Sequence, residues 1–409
     1  MITNGDIAFS DYSKQDIHGT AMYPATMIAP VQKGVLEDVL SQTVASRVLD
    51  PFFGSGTALY EAATLSPELD IYGCDINPLA YLITKVKLEG VSTRIRKDID
   101  RVKSYIQDSE NSQPSLHQFP KIDKWFRDDV QQSLSLLRKA IMSIENRRNR
   151  MYLWYHLAVV VRRYANTRSS TFKLHIKTEE MINNMPNNVV ADFLERVSSD
   201  VDFFVHPPFK SHLNKRDVLE WLPLQEDNFF DVSITSPPYG DNATTVTYGE
   251  FSWLPLNWID SADLKMDGWE LDNAQKIDRM SVGGSKDGEA RVLNEDDRAS
   301  LSEYLDKITV RKQKKVINFF SDYFYFLQHL SRVTKQYIIM TLGNRTVDGI
   351  RIDLTELTKS YLERHDFEIT GCLTRPIVKK RIPRKTSCVN GHAVSSMNDE
   401  YVLIAKKCS

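Results

Sequence analysis

Short apolar runs bounded by turn residues recur at 44–53, 70–74 and 230–235 of this 409-residue chain, each with the length and enclosure of a buried strand. Helical character follows the first two. Ala58-Leu59-Tyr60-Glu61-Ala62-Ala63 comes after the first run, and Asn77-Pro78 opens a second helix, proline being suited to an early helical position. Strand, loop, helix, strand, loop, helix predicts a β-α-β start of the dinucleotide-binding kind. Residues 91–199 then change the rhythm to helix-rich and charged, with apolar residues three and four apart over 130–144 and again over 151–164. A doubly wound sheet normally returns to a strand much sooner, so this stretch predicts a helical insertion or subdomain. The α/β pattern resumes with Asp217-Val218-Leu219 and the run 230–235. The segment 251–315, with Gly283-Gly284-Ser285, Asp287-Gly288 and the acidic run Asn294-Glu295-Asp296-Asp297, reads as loop-rich and variable. A long amphipathic helix at 316–333, strands at 336–342, 367–373 and 401–406, and a helix at 354–364 supply the second half of a sheet. The expected division is therefore 1–90, 91–199, 200–255, 256–315 and 316–409.

Composition narrows this little: 42% hydrophobic and 26% charged residues describe a globular chain, and no run of 18 or more apolar residues is present. The opening Met1-Ile2-Thr3-Asn4-Gly5-Asp6 lacks the basic and apolar regions of a signal peptide, which predicts a cytosolic, cytoplasmic protein. Cys74, Cys372, Cys388 and Cys408 lie far apart with no CxxC pair, so reduced thiols are expected and no metal site. A net charge of −2 advertises no polyanion partner. Local clusters change that picture: Arg147, Arg148 and Arg150, then Arg162, Arg163 and Arg168; Arg311-Lys312-Gln313-Lys314-Lys315; and Lys379-Lys380-Arg381 with Arg384-Lys385. Each suits either phosphate contact or a solvated helix face or loop end.

Two segments carry chemistry. In Asp50-Pro51-Phe52-Phe53-Gly54-Ser55-Gly56-Thr57, Gly54 and Gly56 let backbone approach a ligand at a helix start that offers free N–H donors. The absence of Gly-Lys-Ser/Thr and of a third glycine disfavours a nucleoside triphosphate. Asp75, ending the second strand, stands where an acidic residue accepts ribose hydroxyls, or else caps the next helix. Ser236-Pro237-Pro238-Tyr239 closes the third run. Exocyclic amines of cytosine and adenine are poor nucleophiles because the lone pair is delocalised into the ring. Acceptors aimed at both amine hydrogens make the nitrogen more tetrahedral; the Ser236 hydroxyl and the Pro237 carbonyl are the candidates, with Pro238 stiffening the turn and Tyr239 stacking on an extruded base. Carbon-5 methylation would need a thiolate, usually in a Pro-Cys context, and no cysteine here follows a proline. The bland alternative is a strand terminator with a packing tyrosine. His206-Pro207-Pro208-Phe209 is read as a structural turn, and Trp125-Phe126 and Trp253 as core aromatics before base-stacking ones.

These residues resemble the S-adenosylmethionine-dependent DNA amino-methyltransferases of bacterial restriction-modification systems, the cytosine-N4 and adenine-N6 group. Pro24 and Thr26, within Tyr23-Pro24-Ala25-Thr26-Met27, look like that family's N-terminal cofactor motif; Asp50, Phe52, Gly54, Gly56 and Thr57 its glycine motif; Asp75-Ile76 its ribose position; and Asp217 its contact to the cofactor adenine. Ser236, Pro237, Pro238 and Tyr239 are similar to its catalytic motif. The resemblance implies a Rossmann-like class I α/β fold with a mixed, mostly parallel seven-stranded sheet, S-adenosyl-L-methionine as cofactor, double-stranded DNA as substrate and a cognate restriction endonuclease acting separately. The serine form of the motif favours cytosine N4, with adenine N6 the alternative, then a tRNA guanine-N2 enzyme, then a catalytically silent nucleic-acid-binding subunit. The order of motifs, glycine loop before catalytic tetrapeptide, is opposite to that of many cytosine-N4 enzymes. Two interruptions, 91–199 and 251–315, fit no standard class, and the arginines of the first are expected to contact DNA.

Overall fold

The computed structural model describes residues 15–109, 115–240, 246–266, 273–284, 291–377 and 399–408, with Phe9, Tyr12 and Ser13 and the backbone of 385–389 and 392–395. The chain runs α1 (Ala29–Ser41), β1 (Arg47–Asp50), α2 (Thr57–Leu65), β2 (Asp70–Cys74) and α3 (Pro78–Glu89). The helical stretch follows as α4 (Ile95–Asp108), α5 (Asp128–Met142), α6 (Arg147–Tyr164) and α7 (Val189–Ser199). Then come β3 (Ser211–Asn214), β4 (Phe230–Thr235), α8 (Tyr248–Trp258), α9 (Glu295–Leu305), α10 (Val310–Val333), β5 (Thr334–Leu342), α11 (Leu354–Glu363), β6 (Phe367–Pro376) and β7 (Asp399–Lys407).

The seven strands form one sheet in the order β3-β2-β1-β4-β5-β7-β6, parallel throughout except for β7, which is antiparallel to both neighbours. This is the Rossmann-like α/β fold. Side chains alternate across it as strand geometry requires, apart from β4, where the register shifts between Phe230 and Val232. Val48, Val232, Ile234, Ile339, Val402 and Ile404 face one hydrophobic core, shared with α1, α2 and α3. Leu49, Phe230, Ile338, Met340, Leu403 and Ala405 face the other, shared with α9, α10 and α11. The central strands are buried on both faces, which is why they read as continuous apolar runs.

Several expectations change. The first strand begins at Arg47, not 44, and Val44 is exposed. Strand β3, Ser-His-Leu-Asn, was not anticipated: it is a partly exposed polar edge strand without apolar alternation. The segment read as loop-rich contains α8 and α9. Its acidic run is a helix start, with Asn294 capping Asp297 N at 2.7 Å and three carboxylates in the first turn, where the helix dipole favours them. Gly283 lies at φ 70°, while Ser285 and Asp287-Gly288 fall outside the described residues.

Helices α4 to α7 lie between α3 and β3 in the chain and share the first core; Trp154, Tyr152 and Tyr155 of α6 are buried in it. Trp125, Phe126 and Trp253 are core residues as well. Three of the arginines expected at DNA are used inside the protein. Arg148 donates to the carbonyls of Gly90 and His206, Arg150 forms a 2.5 Å ion pair with Asp263, and Arg147 donates to the Asp263 carbonyl. Arg311, Lys312, Lys314 and Lys315 form the solvated first turns of α10, and 379–384 lie outside the described residues. Among the described residues, no helix is long and apolar enough to cross a membrane.

Candidate active site

Strands β1, β2 and β4 deliver their C-terminal ends to one place, where the sheet order turns back from β2-β1 to β4 and a crevice opens. A cleft enclosing about 780 Å³, part of it open to solvent, lies there. It is lined by Pro24 and Thr26, by Phe52 and Gly54 after β1, by Asp75 and Ile76 after β2, by Asp217, and by Ser236 and Pro238 after β4. Sequence-distant segments singled out for their chemistry therefore share one cavity.

The glycine loop is held from several sides. Gly54 and Gly56 adopt φ of 48° and 70°, a region that penalises any Cβ. Thr84 of α3 donates to the Gly54 carbonyl at 3.0 Å, and buried Lys87 donates to the Ser55 carbonyl at 2.9 Å. His18 sits between Lys87 and Glu61, at 3.4 Å and 2.7 Å, and burial pushes the Glu61 carboxyl up to about 7. A Cβ at Gly56 would meet Thr84 Oγ1 at 2.6 Å. Gly56→Ala is therefore expected to cost roughly 2 kcal/mol, from left-handed strain plus overpacking. Urea denaturation reads this directly, and an unchanged midpoint would remove the close-packing account.

Asp75 is fixed to the loop it faces. Its two carboxylate oxygens accept from Gly54 N at 2.9 Å and Asn77 N at 2.8 Å, leaving lone pairs directed elsewhere. Burial pushes its pKa up to about 6, opposed by those two N–H groups. The cap of α3 belongs to Asn77 instead: Oδ1 accepts from Leu79 N at 3.0 Å, while Nδ2 donates to Tyr23 Oη and Ser252 Oγ. Asp217 caps the short helix Val218–Trp221 through Leu219 N at 3.0 Å. Ala25 takes φ 48° within the segment that forms one wall, an uncommon conformation for a residue with a side chain.

Other predicted residues stand behind the cleft. Asp50 is fully buried; its Oδ1 accepts from Phe52 N at 3.0 Å and from Thr235 Oγ1 at 2.7 Å. That bond ties the glycine-loop strand to the residue before Ser236. Burial pushes the Asp50 carboxyl up to about 7, against those two hydrogen bonds. Thr57 begins α2 and pairs with Ser55 Oγ at 3.1 Å, and Pro237 is buried. Tyr239 does not line the cleft; its ring packs against the second core and its hydroxyl lies 3.0 Å from Ser236 Oγ. Burial and the nearby Glu400 carboxylate raise the phenol well above its ordinary range, so it stays protonated.

Sequence reasoning passed over Tyr23, Asn77, Arg216 and Tyr248 as lining residues, and Ile277, Ser281 and Val282 from the segment read as variable. Tyr23 and Tyr248 form an aromatic wall, ring centroids 5.7 Å apart. Asn77 left a signal, standing directly before the helix-starting Pro78, and Tyr23 stands in the segment that resembles the N-terminal cofactor motif.

No family model matches the chain. The type II methyltransferase M.MvaI of Kocuria varians is 30% identical to it over 430 aligned residues, spanning 96% of this chain and 92% of the relative. Similarity at that level along nearly the whole of both chains, on a Rossmann-like sheet with its cleft at the strand ends, shows that the chain belongs to the type II methyltransferases.

Proposed function

We propose that this chain transfers a methyl group from S-adenosylmethionine to the exocyclic N4 amine of cytosine in duplex DNA, after the base is flipped from the stack, protecting DNA from a separate cognate endonuclease. The observation that carries the reading is the convergence of Gly54, Asp75, Asp217 and Ser236 on one cleft. The cleft suits the cofactor chemically. Glycine-loop backbone and the start of α2 offer N–H donors, Asp75 keeps lone pairs for ribose hydroxyls, and Pro24, Thr26 and Phe52 border the same space. When bound, S-adenosylmethionine supplies an electrophilic methyl on a positively charged sulfur.

The remaining chemistry belongs to the chain. Ser236 Oγ and the Pro237 carbonyl accept hydrogen bonds from the two amine N–H groups of the base, concentrating the lone pair on nitrogen for in-line attack, and the methylated nitrogen then loses one of its protons to solvent. Ser236 accepts best when its own proton points away, and the Tyr239 oxygen at 3.0 Å is an acceptor for it. Ser236 supports cytosine over adenine. The test is incubation with tritiated S-adenosylmethionine and either plasmid DNA or total tRNA, followed by nucleoside analysis. N4-methylcytosine in DNA is the expected product; N6-methyladenine would replace the target base, and label confined to tRNA would sink the DNA reading.

A further inference from the structure

The pairing between β1 and β4 closes at Leu49 with Ser233, before either strand ends, at Asp50 and Thr235. Each end is held by its outer neighbour instead. Asp50 pairs with Gly73 of β2, and Thr235 with Met340 of β5. The parting of these two strands is the crevice at which the sheet order reverses. One side-chain bond crosses its base. Thr235 Oγ1 donates to Asp50 Oδ1 at 2.7 Å, and both residues are fully buried.

The same oxygen accepts from Phe52 N at 3.0 Å. Phe52 lines the cleft on the side of the glycine loop, and Ser236, next after Thr235, lines it on the side of β4. A single carboxylate atom therefore joins the two walls. Its companion, Oδ2, is buried and has no hydrogen bond among the described residues. A buried acceptor left in that state is destabilising, and an apolar pair of similar shape would close the sheet without it. Sheet stability alone does not account for this pair.

We infer that Thr235 is a positioning residue for methyl transfer: its hydroxyl, held on Asp50, sets the glycine loop, where the methyl donor binds, against the Ser236 hydroxyl and Pro237 carbonyl, where the amine binds. This rests on the amine-methylation reading above, and not on which base is methylated. Direct displacement needs donor and acceptor in line, and a misplacement of about 1 Å costs up to roughly 100-fold in rate. Backbone pairing between β1 and β4 does not reach the two walls, so the alignment falls to the side chains.

Thr235→Val keeps the branched shape and deletes the hydroxyl, whereas Thr235→Ser keeps the hydroxyl. Single-turnover transfer at saturating S-adenosylmethionine and plasmid DNA is expected to slow roughly 10-fold in Thr235→Val, and Thr235→Ser to recover most of that rate. The calorimetric Kd for S-adenosylmethionine and the half-saturating plasmid concentration should stay within about threefold. Urea midpoints record stability separately, and should Thr235→Val fail to fold, Thr235→Ala against Thr235→Ser gives the same comparison. A residue that acts through its neighbours is not independent of them. Thr235→Val combined with Ser236→Ala should therefore lose less than the product of the two single losses. Folded Thr235→Val at the wild-type rate, Thr235→Ser as slow as Thr235→Val, or losses that multiply in full would overturn the inference and leave the pair a strut of the sheet. Failure of the amine-methylation reading is separate, because Ser236→Ala would then itself keep the wild-type rate.

Discussion

Ser236→Ala is expected to lower kcat by roughly 100-fold or more while the Kd for S-adenosylmethionine stays within about threefold, the pattern of an interaction made mainly in the transition state. The serine sits at the end of β4, buried on both sides of the strand before it, so the backbone should not respond to loss of one hydroxyl. In the proposed reaction, what is lost is an acceptor for an amine hydrogen. Tyr239→Phe separates two accounts of the tyrosine. Its ring lies against the second core and its hydroxyl on Ser236. If its function is to accept a hydrogen bond from the serine hydroxyl, removing only the phenol oxygen should lower kcat about tenfold and leave DNA affinity unaltered. If its function is to stack on the flipped base, the ring suffices and Tyr239→Phe should be nearly silent. Equal loss of cofactor affinity in Ser236→Ala would show the loop to be structural.

Which parts of the molecule could be read from sequence follows from where the physical signal resides. Strands β1, β2 and β4 are enclosed by helices on both faces, so their residues must be apolar and the runs stand out. Gly54 and Gly56 are visible because their backbone angles exclude other residues. Asn77 and Pro78 are visible because helix starts have their own chemistry. Strand β3 is not, since Ser211, His212 and Asn214 are partly exposed at a sheet edge, where no periodicity is imposed. The internal partners of Arg147, Arg148 and Arg150 in α6 are hidden from the sequence for a related reason. Arg150 finds Asp263 across 113 residues of sequence, and Arg148 finds the carbonyl of His206. A cation's partner is a fact of tertiary structure, whereas its surface look is a fact of composition. The direction of the Tyr239 ring belongs to the same class: Ser-Pro-Pro-Tyr is local, but the core that takes the ring comes from α10 and β5.

Asp75→Asn should weaken S-adenosylmethionine binding by roughly 100-fold, about 3 kcal/mol, because two effects coincide. In the proposed complex a neutral amide replaces charge-assisted acceptors for ribose hydroxyls. It also sets an N–H₂ against one of the two backbone N–H groups, of Gly54 or Asn77, that the carboxylate now accepts, loosening the loop that shapes the cleft. The wild-type carboxyl adds a pH signature. Its folded pKa is raised to about 6 by burial from an ordinary value of 3.8. A raised carboxyl binds its proton more tightly in the folded state, so its contribution to stability is greatest below pH 4 and is lost as pH rises through about 6. Cofactor binding needs the opposite state, because the ionised group is the better acceptor. Affinity measured calorimetrically should therefore fall as pH drops below about 6, while unliganded stability gains its Asp75 share over the same interval. Asp75→Asn should abolish the affinity trend and remove the Asp75 share of the stability gain, leaving the part that Asp50 and Glu61 contribute. A wild-type affinity that is flat between pH 5 and 7, or a variant that keeps the slope, would place the ribose contact elsewhere.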